Sequence, residues 1–282
     1  EGANEFKLDI IQNMNVIAEG FYVKGVERFN GQDYSSAANL FIEAAKVKEE
    51  IGVFDTAAVY NAGLCAELSN DNKLALTQYR KVYEAGLRKP NIYTSLINVS
   101  LKSGDTTTAM NYATEGLQLF PEDFSILIAE TNIFLAKNMT EQALKNLEIA
   151  KSLDQTNPSI FFAVGVSYDR LGNFQKAEEA YLKAIELTPD YFDAIYNLGA
   201  LYVNKAATTL DEANLLPLEK EKEYNEMKNL AESHLDKAIP ILEKAHQLDP
   251  KDRNTIASLK EIYARKGNVE KAKEMDEKLK MQ

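Results

Sequence analysis

Residues 168–190 read "YDRLGNFQKAEEAYLKAIELTPD": the end of one helix, a tight turn at Gly172 and Asn173, and a second helix stopped at Pro189. The skeleton of this stretch recurs. Sliding the chain on itself by 34 residues superimposes Ala109, Ala143 and Ala177, the turn residues Gly104, Asn138 and Gly172, and the small residues Gly116, Ala150 and Ala184. Backward, the frame keeps its spacing at Asn70, Ala75 and Val82, then slips by four residues to Tyr34, Ala37, Phe41 and Ala44. Forward, it runs through Phe192 and Gly199, breaks, and resumes at Ala238, Leu242, Ala245 and Pro250, with a last copy at Tyr263, Gly267 and Ala272. From Ala177 to Ala238 is one period plus 27 residues, so the frame survives an insertion. Seven units open near residues 18, 56, 90, 124, 158, 192 and 253.

Self-similarity at a fixed period overrides the two-domain prior that 282 residues would carry. The apolar fraction is 45%, tryptophan is absent, and Gly and Pro sit at turns without any period-2 alternation, so an all-helical chain is expected. In the unit opening at 158, Phe161, Val164, Gly165 and Tyr168 fall at helical spacing, and Ala177, Tyr181 and Ala184 do so on the next helix. Gly165 and Ala177 are small where two helices meet, while Tyr168 and Tyr181 fill the space beside them. Gly104, Asn138, Gly172 and Gly267 suit a left-handed turn, and Asp33, Asp71, Asp105, Asn173 and Asn268 beside such turns are the expected N-caps. A helix pair alone cannot bury its stripe, so the units must stack.

The run Phe161, Val164-Gly165, Tyr168, Ala177, Tyr181, Ala184, Pro189 resembles the tetratricopeptide-repeat signature. The resemblance implies an all-α fold, a right-handed α-α superhelix, with residues 18–282 as a single solenoid and 1–17 as a helical extension or cap carrying Phe6, Ile10, Met14 and Ile17 on one stripe. It departs from the pattern at Ile97, Thr131 and Lys260, which replace the small residue, and wider helix pairs are expected there. It further implies a non-catalytic scaffold that binds a peptide or protein segment in a concave groove lined by the first helices. The residues carried over to that groove are Tyr22, Tyr60, Asn61, Asn91, Thr94, Asn98, Ile128, Asn132, Phe162, Val166, Asp169, Tyr196 and Asn197. Arrays that clamp a C-terminal carboxylate place Lys and Arg on this face; here the matching places hold Tyr60, Asn61, Thr94, Ser95, Ile128 and Ala129, so no clamp is expected. The alternative is a structural protein that self-associates through the insertion or the array ends.

Chemistry is not signalled elsewhere. No phosphate-binding glycine motif and no H-E-x-x-H occurs. His234 and His246 lie twelve residues apart on one expected helix and cannot share a metal, and Cys65 has no histidine before position 234 to act as its base. No catalytic residue, metal or cofactor is therefore expected. Carboxylates such as Glu178 and Glu179 are expected only to solvate polar faces. The net charge of −11, from 32 basic against 43 acidic residues, argues against nucleic acid as a partner. The longest apolar run, "SILIAETNIFLA", is too short to insert into a membrane. The chain starts at Glu1 with no initiator Met or signal-like segment, so a targeting sequence is expected to be removed or absent, and its compartment is unreadable. A monomer or weak homo-oligomer is expected. The extra residues, about 205–231, should form a lengthened helical hairpin near 203–234, with Pro217 opening the return and Pro240 bending it.

Overall fold

Residues 2–281 are described in a computed structural model of the chain, with side chains from Phe6 to Met281; Glu1 and Gln282, the outer limits of the expected extension and array, lie outside it. Fourteen α-helices and one short 3-10 turn make up the described residues, which contain no strand. They form two compact units, divided between residues 137 and 138. The first holds α1 Gly2–Asn30, α2 Tyr34–Glu50, α3 Thr56–Leu68, α4 Asn72–Glu84, α5 Pro90–Lys102, α6 Thr106–Leu119 and α7 Phe124–Ala136. The second holds α8 Thr140–Leu153, α9 Pro158–Arg170, α10 Phe174–Leu187, α11 Phe192–Asn214, α12 Glu221–Leu248, α13 Arg253–Arg265 and α14 Val269–Lys280. Within each unit consecutive helices pack on one another across short turns.

Turn chemistry sets the spacing of the pairs. A residue in the left-handed region ends the first helix, among them Asn70 at φ 62° and Gly172 at φ 71°. The next residue caps the second: Asp33, Asp71, Asp105, Asn173 and Asn268 each accept a hydrogen bond from the backbone N–H three residues on. α8 and α12 are exceptions, since Met139 and Lys220 in that place have no oxygen to offer.

Packing between paired helices rests on a size complement. A Cβ on Gly63 would stand 2.7 Å from the Tyr79 ring, and one on Gly165 would stand 2.6 Å from Tyr181. Gly25 bears the same relation to Phe41, and Gly199 to Leu242. At two of the departures the second helix compensates. In the α5–α6 pair the sizes are exchanged: Ile97 stands at the glycine place, Ala113 at the ring place, and both are fully buried in one cluster. In the α13–α14 pair the contact becomes an ion pair, Lys260 Nζ to Asp276 at 2.5 Å.

Tyrosine hydroxyls tie the helices together laterally. Tyr83 on α4 and Tyr93 on α5 both donate to Glu115 on α6, at 2.6 and 2.7 Å. Tyr263 on α13 donates to Glu243 on α12 at 2.5 Å, and Tyr202 on α11 donates to Glu178 on α10. Glu178 is thus a structural acceptor, which corrects its assignment to mere solvation; Glu179 beside it is exposed. The extra residues are absorbed by lengthening both α11 and α12, whose seam buries Ala206, Ala231 and Leu235. Pro217 precedes the 3-10 turn Leu218–Lys220, Pro240 lies inside α12, and Leu215 and Leu218 at the tip are 85% and 96% exposed.

Two outcomes follow from this packing. Gly165→Leu should cost about 1–3 kcal/mol or more by overpacking Tyr181, whereas Gly20→Ala, in an open stretch of α1 with nothing within 4 Å, should stabilise by up to about 1 kcal/mol. Denaturant unfolding reads both. The carboxyls Glu115 and Glu243 are held below the usual value of 4.5, the first by Tyr83 and Tyr93, the second by Lys271 and Tyr263. A carboxyl depressed on folding stabilises above its unfolded pKa, and that contribution is lost as pH falls through the folded value. Urea midpoints followed down to about pH 3 should therefore fall less steeply below pH 4.5 for Tyr83→Phe/Tyr93→Phe than for the parent.

Candidate functional site

The groove positions occupy the first helix of each pair, and they divide by environment. In the first unit Tyr22 lies on α1, Tyr60 and Asn61 on α3, Asn91, Thr94 and Asn98 on α5, and Ile128 and Asn132 on α7. Tyr22 and Tyr60 are packing residues, with rings 5.1 Å from Phe41 and 5.5 Å from Tyr79. Asn61 Nδ2 donates to Tyr22 Oη at 2.9 Å, bridging α3 to α1, and Thr94 Oγ1 turns back to the Pro90 carbonyl at 3.0 Å. Ile128 is half-buried. Asn91, Asn98 and Asn132 are exposed, and among the described residues their amides have no hydrogen-bond partner. An open amide both donates and accepts, which is what an extended peptide backbone requires.

In the second unit Phe162, Val166 and Asp169 lie on α9, and Tyr196 and Asn197 on α11. Phe162, Val166 and Tyr196 pack on the unit's buried cluster. Asn197 Nδ2 is committed to the Asp193 carbonyl at 2.7 Å. Burial raises the Asp169 carboxyl above its ordinary value. This unit therefore offers its face mainly through half-buried side chains.

Sequence reasoning missed a cleft between α1 and α3. It is lined by Val26, Phe29, Phe41, Asn61, Leu64 and Cys65, with a volume of about 180 Å³. Pockets that enclose whole small molecules run to roughly 300–1,000 Å³, so this one has room for a single apolar side chain. Its signal in the sequence was the apolar pair Val26 and Phe29, which lies outside the quoted repeat frame.

The remaining reactive groups are packed away. Cys65 is fully buried and its thiol is pushed up to about 11 by burial. His234 sits against the rings of Phe174 and Tyr202, at 5.6 and 6.1 Å, and burial lowers its pKa, as it does that of His246. Among the described residues no group of three or more His, Cys, Asp or Glu is placed to hold a metal, and no helix is long and apolar enough to cross a membrane.

Helix pairs repeated in register define a helical-repeat protein. Profiles of the "Tetratricopeptide repeat" match residues 22–87 and 229–282, and one of the "TPR repeat" matches 168–205. The chain belongs to the tetratricopeptide-repeat proteins, and its repeats make it a protein-interaction scaffold, a class that is typically non-catalytic. It is 30% identical over 146 residues to tetratricopeptide repeat-containing protein trd-1 of Caenorhabditis elegans, covering 49% of this chain and 18% of that one. It spans only 13 to 39% of the length of the curated relatives it matches. Among solved structures, the C-terminal part of a TPR repeat-containing protein from Cytophaga hutchinsonii superimposes with a TM-score of 0.69 at 15% identity, over 92% of this chain and 93% of the other. YrrB, a TPR protein with an unusual peptide-binding site, gives 0.54 at 20% identity over 63% and 89%.

The division between packing and open residues is testable. Tyr60→Ala should destabilise the first unit by about 1–2 kcal/mol through the lost ring contact with Tyr79, whereas Asn98→Ala/Asn132→Ala should shift stability by less than about 0.5 kcal/mol. Thermal melts of the two variants beside the parent distinguish them.

Proposed function

We propose that the chain binds an extended peptide or protein segment along its first-helix faces, and that the segment is anchored in the first unit. The observation that supports this most is the apolar cleft beside Asn61: a pocket for one aliphatic side chain with an amide on its lining. Along the same set of helices, Asn91, Asn98 and Asn132 hold free amides for the segment's backbone, and Thr94 and Ile128 add half-buried contact area. The half-buried face residues of the second unit, Phe162, Val166, Asp169, Tyr196 and Asn197, extend the same kind of surface in their own unit. Recognition of this type draws its affinity from backbone hydrogen bonds and its specificity from pockets for particular side chains. A second reading, self-association through the array ends or the insertion, draws on the exposed apolar side chains of α1 and of the α11–α12 tip.

Selection of displayed random peptides on the purified chain tests the first reading. Enriched peptides should share one large aliphatic residue. Asn61→Ala and the cleft-filling Leu64→Trp should each weaken them by about tenfold or more, while Leu215→Ala at the hairpin tip should not. Selected peptides that bind both cleft variants as tightly as the parent would refute the anchor.

A further inference from the structure

Helix α1 is 29 residues long and α2, which packs on it, only 17. Lys48, in the last turn of α2, donates to Asn15 Oδ1 at 2.5 Å, so the turns of α1 before Asn15 overhang the end of its partner. The side of α1 that packs is marked by buried Ala18, by Gly25 beneath Phe41, and by Tyr22 and Phe29. A second apolar stripe runs about a quarter-turn away, through Phe6, Ile10, Ile17 and Phe21, which fall within roughly 60° of one another on a 3.6-residue helix. Phe6, Ile10 and Ile17 are 68%, 43% and 52% exposed, and Phe21 is half-buried.

Apart from Met14, which borders it at its centre, the stripe is a palindrome. Its spacing is four, seven and four residues, and its side chains read Phe, Ile, Ile, Phe in either direction. We propose that a second copy of this chain covers it, its α1 running antiparallel across a twofold axis beside Asn13 and Met14. Phe6 then meets Phe21 of the second copy, Ile10 meets Ile17 of the second copy, and the same two contacts recur on the other side of the axis. That reciprocity is the condition of an isologous interface, where residue i touches j and j touches i. A stripe meant for a foreign helix has no need of mirror symmetry. A crossing of two helices buries less than the roughly 1,600 Å² of a standard interface, so the dimer is weak and concentration-dependent.

The test is sedimentation equilibrium of the full chain over a wide concentration range. The parent should pass from one chain mass to two. Ile10→Lys alone and Ile17→Glu alone should each raise the dissociation constant by about tenfold or more, by placing a charge against an isoleucine twice. Combining them should restore association, because each introduced ammonium then faces an introduced carboxylate at both symmetric places. Circular dichroism confirms that the variants keep their helix content. A parent that stays monomeric throughout, single variants that dimerise like the parent, or a folded double variant that stays monomeric would each overturn the twofold α1 pairing.

Discussion

In four of the helix pairs a ring or branched side chain laid over a glycine sets the distance between the helices. With no Cβ on Gly63 or Gly165, the Tyr79 or Tyr181 ring lies directly on the first helix's backbone. The pair closes tightly enough to bury its seam, and the short capped turn between its helices then has one length. Side chains one turn away from the glycine are left on the outer face of the first helix. The open amides Asn98 and Asn132 occupy equivalent places on α5 and α7 because they lie one 34-residue period apart, beside Ile97 and Thr131 at the glycine place.

Lateral cohesion is of a different kind. Tyrosine hydroxyls donating to carboxylates link α4 and α5 to α6, α10 to α11 and α12 to α13, and they give part of the acidic excess a structural job. A chain with 43 acidic residues is usually read as one that buys solubility; here several of those carboxylates are acceptors for neighbouring helices.

The fold was legible because it is periodic: helix starts at Thr56, Pro90, Phe124, Pro158, Phe192 and Arg253 fall where the 34-residue frame opens its units, the last step being one period plus the 27 inserted residues. Pairwise complements were harder to see. Ile97 looks like a violation until Ala113 is found on the facing helix, and Lys260 until Asp276 is, since a single position cannot report the size or charge of its neighbour. The candidate site was legible by halves. The resemblance named positions on the first helices but could not separate Tyr60, whose ring packs on Tyr79, from Asn98, which is free, and it gave no hint of the cleft between α1 and α3, whose walls come from three different helices.

The lengthened hairpin has a mechanical consequence. α12 is one helix from Glu221 to Leu248, about 42 Å at 1.5 Å per residue, and its latter half is the repeat's own second helix. The exposed tip near Leu215 and Leu218 and the contact of Leu242 on Gly199, a point with no spare volume, lie at opposite ends of this excursion, with Pro240 two residues before Leu242 as the place where α12 can give. The packing of this repeat is thereby tied to whatever the projecting tip touches, with the proline as the joint between them.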